Sequence, residues 1–149
     1  MMEIEIIKST KLDNKEVLEM TEFMFKILLT KKERNKLSLI ISFDPDDSEP
    51  FFDGYCVQGS SHYKYKVWCR RSREPDKQRD TLAHEFVHVR QMVQKDMNPS
   101  TGKLISKRLA GLTIKKGDDY WDCPTEIEAN GRARGLVSRW HTEHNKTLP

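Results

Sequence analysis

Residues Thr81 to Gln91 read TLAHEFVHVRQ, and the spacing within them decides the architecture expected of the chain. They contain an HExxH sequence, His84-Glu85-Phe86-Val87-His88. In an α-helix, residues four apart lie on one face about one turn apart, so both imidazoles can reach one ion. At about 100° per residue, His84, His88 and Gln91 project in one polar direction. Leu82, Phe86, Val89 and Val93 form an apolar stripe on the opposite side. Such a helix packs its back against a sheet and presents both histidines to a cleft. Zinc suits the pair, because it accepts neutral imidazole nitrogen and takes few, tetrahedrally placed donors. Glu85, angled to the side, is placed to take a proton from an attacking water and pass it to a leaving amine.

A catalytic zinc takes three protein ligands and keeps one position for water. The segment DCPTEIEANGRA, Asp122 to Ala133, offers two carboxylates, Glu126 and Glu128. On a helix Glu126 shares its face with Ala129, Asn130, Ala133, Val137 and Trp140, largely small or apolar groups that point inward. Glu128 points away, with Arg132 one turn on as an ion-pair partner. Glu126 is therefore the expected third ligand. Asn130, one turn beyond it, is placed to hydrogen-bond a ligand histidine. Tyr120 and His62 are the candidate donors to a transition-state oxyanion. Cys123, three residues before Glu126, would occupy the water position if it bound as a thiolate.

Working outward, Met2 to Lys8 alternates acidic and apolar side chains, the period-2 signature of a half-buried strand. Asn14 to Leu29 reads as a helix with Asp13 as its N-cap. Lys36 to Phe43, KLSLIISF, is a β-rich run ending in the turn cluster DPDDSEP. Phe51 to Gln58 and His62 to Cys69 are two more strands. The second of these precedes the histidine helix, where it serves either as a substrate-pairing edge or as an ordinary internal strand. Glu74-Pro75-Asp76 opens the histidine helix, which runs to about Lys95. Met97 to Tyr120 is irregular, with a hairpin around Leu104 to Lys115, and a last helix extends from near Pro124 to about Trp140. The pattern β-α-β-β-β-α-(loop)-α is that of a single α+β domain over residues 1–149, a small mixed sheet with a backing helix and two later helices that supply the site.

Bulk properties narrow the class. The 149 residues are 33% charged and 36% hydrophobic, a globular balance, and no apolar run is long enough for a bilayer. Three widely spaced cysteines, with no CxxC pair and no export signal in MMEIEIIKST, read as free thiols in the cytoplasm and exclude a zinc ribbon. The net charge of +3 is mild. Basic residues do cluster in Lys31 to Lys36, in Arg70 to Arg73 and at Lys115 and Lys116, which read chiefly as solvated faces and only weakly as nucleic-acid contacts.

The segments RDTLAHEFVH and Glu126-Ile127-Glu128-Ala129-Asn130 resemble the zincin metallopeptidases whose third ligand is a glutamate. Within that branch they are similar to the immunity-repressor-cleaving metallopeptidases (ImmA/IrrE type) and to small HExxH proteins encoded by phages. The resemblance covers Arg79 to Gln91 and Tyr120 to Arg132. It implies a minimal zincin-like fold, His84, His88 and Glu126 as ligands, Glu85 as base, and a peptide or protein substrate. The chain departs from thermolysin-like members at Asn130, where they carry an acid. The rival expectation is a non-catalytic binding module with a structural zinc, closed by Cys123 or His62 and acting on a host protein or nucleic acid. A third is a peptidase that works on DNA-bound proteins.

Overall fold

A computed structural model describes residues 2–7, 12–43, 53–71, 74–101 and 123–145. The described residues form four strands and four helices in a mixed α+β arrangement: β1 (Glu3–Ile7), α1 (Asn14–Leu28), α2 (Lys31–Lys36), β2 (Ser38–Ser42), β3 (Gly54–Gln58), β4 (Lys64–Cys69), α3 (Pro75–Val93) and α4 (Pro124–Asn145). The expected hairpin around Leu104 to Lys115 and the turn DPDDSEP lie outside the described residues. No described helix is long and apolar enough to cross a membrane.

The sheet order is β1-β2-β4-β3, with β1, β2 and β4 parallel and β3 antiparallel to β4. The register aligns Ile6, Ile41, Val67 and Cys56 in one row across all four strands, and Ile4, Leu39 and Tyr65 in the next. Leu39, Ile41, Tyr65 and Val67 are buried in one core with the apolar sides of α1 and α3. Alternate residues fall on the other face, so a shift by one position would turn this whole set away from the helices. The position of β4 decides between the two roles left open for His62 to Cys69. His62 to Cys69 yields an internal strand, and the edge beside it is β3.

Asp13 caps α1 as expected, accepting from the Lys15 N–H at 3.2 Å. The short α2 was not anticipated, since KKERNK has no apolar face and buries no residue. It is held by a capping box, in which Thr30 Oγ1 accepts from Glu33 N and Glu33 Oε1 accepts from Thr30 N. In α3, Pro75 stands at the first helical position and Asp76 in the positively polarised first turn. Its stripe of Leu82, Phe86, Val89 and Val93 is buried, and Phe86 meets Phe25 of α1 with ring centroids 4.9 Å apart. The helix stops where Lys95 takes a left-handed conformation at φ 60°, and Asp96 and Met97 turn their amides back to the Gln91 carbonyl. On the other side of α3 lies α4, whose Ala129 and Ala133 are buried and small enough to let the two helices approach closely.

Candidate metal centre

Two helices bring the predicted ligands together. His84 and His88 stand one turn apart on α3, and their Nε2 atoms are 3.1 Å from each other. Glu126, in the first turn of α4, places Oε1 3.3 Å from His84 Nε2 and 3.1 Å from His88 Nε2. Its other oxygen lies 2.8 Å from His88 Nε2. Donors held about 2.0–2.1 Å from a tetrahedral zinc would be about 3.3 Å apart, so the three atoms fit the base of such a site. All three residues are largely withdrawn from solvent.

Glu85 also offers an oxygen within 4.8 Å of both imidazole donors, which makes two carboxylates eligible. Distance separates them. Glu85 Oε1 is 4.0 Å from His84 Nε2, well outside the Glu126 contacts. Glu85 Oε2 is buried and has no hydrogen-bond partner among the described residues. Burial pushes the Glu85 carboxyl upward in pKa. The positive charges of His88 and His84 oppose this, and the Glu126 charge adds to it. Glu85 is thus a buried carboxylate beside the donor triangle, hydrogen-bonded by the Cys56 thiol and with one oxygen open.

Sheet and helix meet at this carboxylate through Gly54, the first residue of β3. A Cβ there would stand 2.5 Å from Thr81 Cγ2, 2.6 Å from the Trp68 carbonyl oxygen and 3.7 Å from Glu85 Cγ. Only glycine lets the edge strand come this close. Cys56, two residues on, has its thiol pushed well up by burial first and by the Glu85 and Glu126 charges next.

The remaining candidates have other places. Asn130 is exposed on α4, and the group hydrogen-bonded to the His88 ring is Gln91, whose Oε1 is 2.7 Å from Nδ1. Asn130 shares the helical face of Glu126 but lies at the margin of the buried arc, on its solvent side. His62 precedes β4 and places Nε2 2.8 Å from the Val93 carbonyl oxygen at the end of α3. Tyr120 lies outside the described residues. Glu128 does meet Arg132, at 3.6 Å, yet it is buried and not directed into solvent. It also accepts from Gln91 Nε2 at 3.1 Å and lies 3.7 Å from Arg90. Cys123 Sγ is 3.1 Å from Thr125 Oγ1.

Of the basic clusters, Lys31, Lys32 and Lys36 are exposed on or beside α2, and Arg71 is exposed after β4, whereas Arg70 is buried with its guanidinium over the Trp68 ring. Arg73, Lys115 and Lys116 lie outside the described residues. The contacts of Gln91 could not be expected from sequence alone. The residue was visible on the histidine face, but its partners on α4 were not. The chain matches no protein-family model and no curated protein sequence.

Proposed function

We propose that the chain is a zinc-dependent peptidase of zincin type, with His84, His88 and Glu126 as metal ligands and Glu85 as general base. The observation that carries this reading is the triangle of three donors 3.1 to 3.3 Å apart, assembled from two helices. Zinc bound there would polarise a scissile carbonyl and acidify a water molecule. The chain's own residues supply the rest. Glu85 takes the proton from the attacking water, and burial, which raises its proton affinity, suits it to carry that proton to the leaving amine. Among the described residues β3 is the sheet edge beside Glu85, and its outward backbone N–H and C=O groups are where an extended peptide can pair, with little demand on its sequence.

A structural zinc closed by four protein ligands is the weaker reading. Its two expected fourth donors are engaged elsewhere, Cys123 with Thr125 and His62 with Val93. A cytoplasmic protein or peptide substrate follows from the peptidase reading and the free thiols.

Metal analysis of the purified protein tests the proposal. Wild type and Glu85→Gln should each retain about one zinc, and Glu126→Ala should lose it. On any peptide the wild type cleaves, Glu85→Gln should be slower by about 10²–10⁴-fold. A wild type that holds no zinc after dialysis against it would end the proposal.

A further inference from the structure

Gln91 is fully buried, and its carboxamide links three groups on two helices. Nε2 donates to the Thr125 carbonyl at 2.9 Å and to Glu128 Oε1 at 3.1 Å. Both partners are acceptors, so they consume both N–H bonds and fix which end of the amide is which. The oxygen end is left facing His88 Nδ1 at 2.7 Å. Nδ1 must then carry a hydrogen, and the Nε2 side of the ring is the one that faces His84 and Glu126. A flipped amide would set its oxygen against two oxygens.

The Thr125 carbonyl belongs to the residue directly before Glu126, so the same side chain holds the backbone that carries the third donor. Gln91 is itself anchored, because its own carbonyl accepts from Asp96 at 2.7 Å and from Met97 at 3.2 Å. Glu128 is anchored by the Arg90 and Arg132 contacts already described.

We propose that Gln91, braced by Glu128, is a positioning residue of the metal centre: it sets the ring orientation and tautomer of His88 and the placement of Glu126 in a single clamp. This rests on the metal-binding reading above. It also gives the second carboxylate of the α4 segment a role other than ligation.

A donor–acceptor reversal tests the clamp. Gln91→Glu keeps an acceptor for His88 but removes both donors and sets two carboxylates against each other. Glu128→Gln, added to it, supplies the missing donor from the opposite side. Cobalt(II) affinity is measured by absorbance against a competing chelator for wild type, both single variants and the double variant. Thermal melts of the metal-free proteins run in parallel.

Gln91→Glu should bind cobalt about 10–100-fold more weakly, and the double variant should recover most of that loss. The His88 Nδ1 proton should be observable by NMR and slow to exchange in the zinc-loaded wild type and in the double variant. Its protection should be lost in Gln91→Leu. If Gln91→Glu binds cobalt as tightly as wild type, or if Glu128→Gln restores nothing while wild type binds normally, the clamp is wrong and the metal centre stands. If wild type takes up no cobalt, the metal centre falls and the clamp with it.

Discussion

In the proposed centre, protons and metal compete at His88. Burial alone would lower its pKa. The hydrogen bond to Glu126 outweighs this, together with the Glu85 and Glu126 charges, and lifts the metal-free value to about 9. An unfolded histidine titrates near 6.5, so the folded value is the raised one. The stabilising contribution of the charged ring to the metal-free fold is therefore fully present below about pH 6.5 and is lost as pH rises through about 9. Zinc has the opposite preference, because it takes only the neutral ring. Uptake at pH 7 should release about one proton from His88, and affinity should climb roughly tenfold per pH unit until it flattens near pH 9. Calorimetry in two buffers of different ionisation enthalpy counts the protons directly. An affinity that stays level from pH 7 to 9, with no proton released, would show that His88 is not a ligand.

At the scale of elements, the contact between β3 and α3 depends on one missing side chain. Gly54→Ala would force a methyl group against the Trp68 carbonyl oxygen at 2.6 Å, and a backbone oxygen of an internal strand cannot swing away. Relief requires the edge strand to move off the helix. The cost should be about 1–3 kcal/mol, read from the urea midpoint, and β3 should shift away from Glu85. A Gly54→Ala protein with the wild-type midpoint would mean that the strand has slack, and the placement of β3 beside Glu85 would lose its support. The same pair of elements shows what sequence can and cannot yield. Helical spacing is local, so HExxH and the inward face of Glu126 were legible, as were the limits of α1, α3 and β2 to within a few residues. Strand order is not local. Nothing in HYKYKVWC distinguishes an edge from an interior, and its alternating lysines resemble a solvated edge although β4 lies between β2 and β3. The short α2 escaped because apolar periodicity cannot find a helix that buries nothing, although its Thr30-x-x-Glu33 capping box was present in the sequence. Gln91 makes the histidine contact expected of Asn130 for a related reason. Which amide reaches His88 depends on how α3 and α4 cross, and that is fixed only when Ala129 and Ala133 settle into the core.

For the molecule as a whole, the proposed centre joins the start of α4 to the rest of the fold. The sheet, α1, α3 and the later turns of α4 share one apolar core, with Phe25, Leu39, Ile41, Val67 and Phe86 at its middle and Ala133, Val137 and Trp140 joining it from α4. The first turn of α4 is different. It meets α3 through Glu126, Glu128 and the Thr125 carbonyl, polar groups whose mutual arrangement a bound cation would tighten. Zinc that binds only the folded state at a free concentration about 100-fold above its dissociation constant adds about 2.7 kcal/mol. For a domain of this size that amounts to roughly 5–10 °C in Tm, so chelation should lower the midpoint by that much without abolishing the cooperative transition. The loss should also be local. Hydrogen exchange of the zinc-free protein should quicken first at the amides following Glu126 in α4, while β2, β4 and the middle of α3 keep their protection. Uniform acceleration across sheet and helices would instead make the ion a condition of the whole fold. In that case zinc would serve as a structural clasp, and the open-site peptidase reading would give way to the binding-module alternative.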